Sequence, residues 1–234
     1  MYANFIVEGE KMAIELLNDP NIDIEMILCL ENWIFDNQNI LRSFINKIIT
    51  VTESELKQIS NLTTPNKVFI IAKQPKIVLD EAIINHNFSL YLDGIQDPGN
   101  MGTIMRIADW FSIPYILCSE TSVDIWNPKV VQASMGAFLR VKAIEIDFKD
   151  IKHRFPDLPV FATILRGGNI FEKSYPRRGI IVIGNEGNGV SDAIIEQADF
   201  PITIPGGGGA ESLNVGVATG IVCAVLINNN LVGK

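Results

Sequence analysis

One stretch constrains this chain more than any other: Ile180-Ile181-Val182-Ile183-Gly184-Asn185-Glu186-Gly187-Asn188-Gly189-Val190-Ser191. Four consecutive β-branched residues suit a strand buried on both faces, the situation of an inner strand in a parallel sheet. Gly184, Gly187 and Gly189 then permit tight turns and close approach of backbone to a ligand. The pattern predicts a strand that ends in a ligand loop and passes into a helix-like run.

Two other stretches, 93–102 and 204–214, repeat that design: an apolar strand opening into glycine and small polar residues. Around them the second half of the chain alternates. Strands are predicted over 88–92, 115–118, 140–146, 160–165 and 201–204, and helices over 103–111, 127–138 and 213–228, the second opened by Asn127 as cap with Pro128 in the first turn. Such alternation predicts an α/β fold with a mostly parallel sheet and helices on both faces, whose ligands sit beyond the carboxyl ends of the strands.

The first part reads as a smaller α/β domain over residues 1–75. Its predicted elements are a helix at 9–18, a strand at 22–30, a helix at 37–47, a short strand at 48–51, a helix opened by a Thr52–Glu55 capping box, and a strand at 67–72. Residues 76–87, rich in Asn, Asp and Glu, read as a linker, partly helical, and 88–234 as the second domain.

A net charge of −8 argues against a coat for nucleic acid, although a local basic patch inside an acidic protein still binds phosphate. Cys29, Cys118 and Cys223 are widely spaced and odd in number, so they read as free core thiols in a reducing compartment. With His86 and His153 as the only histidines and no cysteine near either, no metal site is expected. Glu8, Glu10, Lys11 and Glu15 interrupt any secretory signal, and the apolar run 215–227 is well short of the ~20 residues that span a bilayer, so the cytoplasm is expected.

The glycine spacing does not fit the nucleotide fingerprints. Gly184-x-x-Gly187-x-Gly189 is not G-x-G-x-x-G and no Walker lysine follows any glycine cluster, which disfavours a nucleotide-dependent oxidoreductase. Ser212 lacks the flanking glycines of a nucleophile elbow, and capping the last helix is its expected role. A loop-borne Asn100 and a helical Arg106 are placed to flank one pocket. Arg106 either holds a phosphate or carboxylate through its guanidinium fork or pairs with Asp109, and Glu186 is either a hook for ligand or an acceptor that steadies its own loop.

Taken together, Asp97-Pro98-Gly99-Asn100-Met101-Gly102 with Arg106, then Ile183 through Ser191, then Ile204-Pro205 with Glu211-Ser212-Leu213-Asn214-Val215 resemble the three ordered motifs of the SpoU (TrmH-type) RNA 2′-O-ribose methyltransferases of the SPOUT superfamily. The resemblance spans residues 88–227, with Asn127-Pro128-Lys129 and Ala133-Ser134-Met135-Gly136 fitting between motifs. Residues 1–75, with Val7-Glu8-Gly9-Glu10-Lys11, resemble the family's ribosomal-protein-like RNA-recognition domain.

The resemblance implies a C-terminal trefoil knot, a homodimer through the catalytic domain, and S-adenosylmethionine held by backbone at Gly184, Ile204 and Leu213. It implies Arg106 as the catalytic arginine, with Asn100, Glu186, Ser212 and Asn214 around it, and methylation of a ribose 2′-hydroxyl in structured RNA, ribosomal ahead of transfer RNA. Gly206, where methionine is frequent, Gly216, where serine is frequent, and Leu226-Ile227 in place of Tyr-Glu depart from the pattern; the glycines are expected to loosen the cofactor loop. Residues 1–87 carry 7 Lys and Arg against 12 Asp and Glu and no basic leader, so RNA affinity is expected to rest on the second domain, where Arg166, Lys173, Arg177 and Arg178 form a basic cluster. The alternative is a non-catalytic RNA-binding or ribosome-assembly factor on the same fold.

Overall fold

A computed structural model describes residues 3–64 and 66–228. The chain forms two compact units, Met1–Lys76 with Asp124–Leu139, and Ile77–Val123 with Arg140–Lys234.

The first unit begins with β1 (Asn4–Glu8), α1 (Glu10–Leu17), β2 (Ile24–Cys29), α2 (Glu31–Asp36) and α3 (Gln38–Leu41). A 3-10 turn at Arg42–Lys47 leads to β3 (Ile48–Thr50), α4 (Glu53–Ile59) and β4 (Val68–Lys73). The strands lie in the order β1-β4-β2-β3, with β4 antiparallel to both neighbours and β2 parallel to β3. Phe5, Val7, Leu16, Ile27, Trp33, Leu56 and Ile70 fill the core. The Thr52–Glu55 capping box forms in full at the start of α4. The single helix expected over 37–47 does not form: the chain turns at Asn37, which splits α2 from α3, and then tightens into the 3-10 turn.

The second unit holds α5 (Glu81–His86), capped by Asp80, then β5 (Phe88–Asp93), α6 (Pro98–Trp110) and β6 (Tyr115–Cys118). The chain next contributes α7 (Pro128–Ser134) to the first unit, where Phe5 meets the rings of Trp126 at 4.6 Å and Phe138 at 5.5 Å. β7 (Lys142–Glu145), α8 (Phe148–Arg154), β8 (Val160–Asn169), β9 (Gly179–Gly184), α9 (Asp192–Ile195), β10 (Phe200–Thr203) and α10 (Val215–Asn228) complete the second unit.

Its six strands are all parallel, in the order β10-β8-β9-β5-β6-β7. Both central strands, β5 and β9, are buried along their length, as their apolar runs require. On one face Tyr91, Leu117, Val160, Ala162, Ile180 and Val182 pack with Ile84 of α5, Ile151 of α8 and Ile194 of α9. Leu90, Ile116, Ile181 and Ile183 alternate with them, so their side chains need a second cover. The mutually packed α6 and α10, which touch β6 and β9, supply it.

That packing is close because of small residues on α10. A Cβ at Gly216 would stand 2.9 Å from Cγ2 of Thr103, and one at Gly220 would stand 3.8 Å from Cδ1 of Ile107. Gly216 therefore does not loosen a loop: it lies in the first turn of α10 and lets that helix approach α6.

Candidate active site

Strand order reverses between β5 and β9: β6 and β7 are added on one side, β8 and β10 on the other. A crevice opens beyond the carboxyl ends of strands at such a switch point. The last residue pair of the two strands is Asp93 opposite Gly184, so the loops from 93 and from 184 flank that crevice.

The first loop is shorter than its sequence predicts. Asp97 accepts the Asn100 N–H at 2.8 Å, Pro98 occupies the first turn, and α6 starts there rather than at Thr103. Asn100 is thus helical, not loop-borne. With Arg106 on the same helix, the two are roughly 9 Å apart along its axis.

Asn100, Glu186 and Asn214 meet in one hydrogen-bonded chain. Oδ1 of Asn214 accepts the N–H groups of Gly216 at 2.9 Å and Val217 at 3.3 Å, capping α10. Its amide must then donate outward, and Nδ2 reaches Oδ1 of Asn100 at 3.0 Å. The Asn100 amide is oriented in turn, and its Nδ2 donates to Oε1 of Glu186 at 2.9 Å. A carboxylate at Glu186 is the acceptor this order requires. The amino ends of α6 and α10 converge here, and their partial positive charge favours an anionic group.

The cap of α10 is therefore Asn214, not Ser212. Ser212 is exposed two residues upstream and makes no hydrogen bond among the described residues. Arg106 is also exposed, and its alternative partner is taken: Asp109 receives Nε of Arg140 at 2.9 Å and 3.0 Å and Nη2 at 2.9 Å. Among the described residues Arg106 makes no ion pair, which leaves its fork open.

Gly184, Ile204 and Leu213 all lie at this end of the sheet, at the end of β9, after β10 and before α10. A Cβ at Gly184 would stand 2.2 Å from the Gly189 carbonyl carbon and the Val190 nitrogen, so the loop's own return fills that space. Gly206, Gly207, Gly208 and Gly209 are the opposite case, exposed and with nothing within 4 Å of a Cβ at any of them. Backbone there is open to a ligand.

The structure divides the basic cluster. Arg166 lies on the part of β8 that bulges out where pairing with β10 jumps from Ala162 to Gly168, and Lys173 Nζ is 3.8 Å from a Cβ built at Gly168. Arg177 and Arg178 precede β9, at the opposite end of the parallel sheet, and Arg178 donates to the Asn85 carbonyl at 2.8 Å.

One residue in the second motif had no assigned role. Asn185 donates from Nδ2 to the Gly94 carbonyl at 2.7 Å and accepts the N–H groups of Gly187 at 2.9 Å and Asn188 at 3.0 Å. Its only sequence signal is a short amide directly after a strand, where such side chains shape turns.

A strand switch point flanked by glycine-rich loops, together with an amide–carboxylate chain at two helix starts, is the place where a parallel α/β fold can take a small polar ligand. Residues 87–224 match the SpoU rRNA Methylase family, and the chain belongs to that family. It is 26% identical over 222 residues, 93% of this chain and 86% of the relative, to the 23S rRNA (guanosine(2553)-2′-O)-methyltransferase RlmP of Bacillus subtilis. A solved structure of a TrmH-family protein from Porphyromonas gingivalis is 33% identical, with a TM-score of 0.81 over 97% of this chain and 90% of that one. The fold also matches the SpoU methyltransferase AviRb of Streptomyces viridochromogenes, solved in complex with the cofactor AdoMet, at a TM-score of 0.82, 22% identity, and 99% and 92% coverage.

Proposed function

We propose that this chain is an S-adenosylmethionine-dependent RNA methyltransferase that methylates a ribose 2′-hydroxyl, in ribosomal RNA ahead of transfer RNA. The observation that carries the reading is the Asn214–Asn100–Glu186 chain where β5 and β9 end, with Arg106 on the helix of Asn100 and without an ion pair among the described residues. The relative RlmP, matched along most of both chains, is named for this chemistry on 23S rRNA.

The residues present fit the cofactor. Gly184 ends β9, Ile204 follows β10 and Leu213 precedes α10, all at the carboxyl end of the sheet, and the glycine run 206–209 leaves main-chain groups open to bind polar atoms. When bound, S-adenosylmethionine supplies a methyl group on a sulfonium. Arg106 clamps an RNA phosphate with its guanidinium fork, a set of donors with no acceptor, and orients the ribose rather than removing its proton. Asn100, oriented by Asn214, fixes one oxygen of Glu186, and the other faces the substrate, accepting the hydrogen bond of the hydroxyl and then its proton as the ribose oxygen takes the methyl group. Ser212 lies beside them as a further polar contact. Catalysis in this reading is chiefly positioning.

The finer assignments rest on the family. The segment from β9 through α10 forms its trefoil knot, the first unit is its RNA-recognition domain, and the protein works in the cytoplasm as a homodimer through the catalytic domain. Exposed Trp110 on α6 and Val217 on α10 support that pairing surface. Arg166 is the better-placed of the arginines proposed for RNA, being at the crevice end of the sheet, whereas Arg177 and Arg178 would meet only a distant part of the substrate.

The test is Arg106→Ala. Methyl transfer should fall by roughly 10²-fold or more while cofactor affinity stays within about threefold. A variant that turns over like the parent would remove Arg106 from the mechanism.

A further inference from the structure

The Asn214–Asn100 amides hold Glu186 from one side only, and the carboxylate sits at the tip of a loop that must itself be held. Glu186 is exposed, as are Gly187, Asn188 and Gly189 around it. Three of the eight residues from 184 to 191 are glycines, and glycine confers the greatest backbone freedom. Left to itself such a loop would carry Glu186 through many positions.

The contacts that limit it converge on one side chain. Asn185 bonds across the loop through its backbone, its N–H to the Gly189 carbonyl at 3.0 Å and its carbonyl from the Gly189 N–H at 2.9 Å. Its side-chain oxygen pins the Gly187 and Asn188 N–H groups, which follow Glu186 directly. Its amide nitrogen ties this turn to the Gly94 carbonyl, on the loop that leads into α6 and Asn100. Gly94 is fixed from the far side: its φ is +76°, and its N–H donates to Ser119 Oγ at 2.9 Å. Asp93 holds the loop's other end, its Oδ2 accepting the Ser191 N–H at 2.8 Å.

We propose that Asn185 is a positioning residue for methyl transfer. It sets where Glu186 stands relative to Asn100: two of its side-chain hydrogen bonds shape the second motif loop, and the third joins that loop to the first. The inference rests on the proposed methyltransferase activity and on Glu186 serving it. Asn185→Asp is nearly isosteric: it keeps both acceptor bonds, loses the donor to Gly94, and sets a carboxylate oxygen against a carbonyl.

A double-mutant cycle decides it. Single-turnover transfer of labelled methyl from S-adenosylmethionine to ribosomal RNA from cells lacking the gene would be measured for the parent, Asn185→Asp, Glu186→Ala and the double variant, with thermal unfolding of each. Asn185→Asp and Glu186→Ala should each lower the rate by roughly tenfold or more, and the double variant should lie within about twofold of Glu186→Ala, because residues that act through one another are not additive. Multiplying effects would overturn the proposal and leave the methyltransferase reading intact. A Glu186→Ala variant with the parent rate would overturn the proposal together with the role of Glu186, while Arg106→Ala still tests the activity separately. Should Asn185→Asp fail to fold, the cycle with Asn185→Ser decides by the same criterion, since its hydroxyl retains a local acceptor but is too short to reach Gly94.

Discussion

At the scale of single residues, function here depends on which partner each polar group has already taken. Asp109 is occupied by Arg140, so among the described residues Arg106 makes no ion pair, and the phosphate clamp proposed for it has its fork open. Asn214 has spent its oxygen on α10, which dictates the direction of every later hydrogen bond as far as Glu186. The three cysteines are buried and free, and burial pushes Cys29 up to about 11 and Cys118 and Cys223 up to about 12, so they are packing groups rather than nucleophiles. Asp23 offers a pH prediction. Its carboxyl is held below the usual 3.8, first by the Lys73 hydrogen bond at 2.7 Å and then by Lys47. A depressed carboxyl stabilises the fold fully above its unfolded value and loses that contribution as pH falls through the folded value. Asn in place of Asp23 should therefore flatten the fall of melting temperature below pH 3.8, measured by thermal scans from neutral to strongly acid pH, and leave its shape near neutrality unchanged. The effect should be small, because the Asp23 side chain is 54% exposed. An unchanged acid limb would show that this pair contributes nothing.

At the scale of elements, glycines separate into those the backbone demands and those it does not. Gly184→Ala places a Cβ 2.2 Å from backbone and should destabilise the second loop. Gly207→Ala meets nothing within 4 Å and needs no left-handed φ, so it should raise stability by about 0.4–1 kcal/mol through the unfolded chain. Denaturant unfolding of the two variants checks both signs, and stabilisation by Gly184→Ala would contradict the packing described for that loop. The same distinction explains what was legible in the sequence. Strands β5, β6 and β9 announce themselves because burial on both faces demands unbroken apolar runs. Helix α6 was misplaced at its start because Gly99, Asn100 and Gly102 look like loop, although Asp97 and Pro98 carried the cap signal. Helix α8 was missed because Phe148 and Ile151 are its only buried residues, too few to show a period. Strand order and the Asn185–Gly94 bond were not readable at all, since those two residues are 91 apart in the chain and only the folded sheet brings them together.

At the scale of the whole molecule, the candidate catalytic groups lie in one unit, and the glycine loops identified from the sequence become walls of one crevice only because strand order reverses between β5 and β9. A net charge of −8 disfavours general electrostatic attraction to RNA, so the recognition proposed here is assigned to local groups such as Arg106 and Arg166. Among the described residues no helix is long and apolar enough to cross a membrane. Family membership and the fitted site make the central claim one about an RNA product, and the most direct test reads that product. Ribose 2′-O-methylation should be mapped nucleotide by nucleotide across total RNA from cells with and without this gene, and from the deletion strain complemented by Arg106→Ala. One methylated ribose in ribosomal RNA that disappears on deletion, returns with the parent gene and stays absent with Arg106→Ala is the predicted result. Identical methylation maps in all strains, with no methyl transfer by the purified protein to the same RNA, would contradict it and leave an RNA-binding factor on a methyltransferase fold.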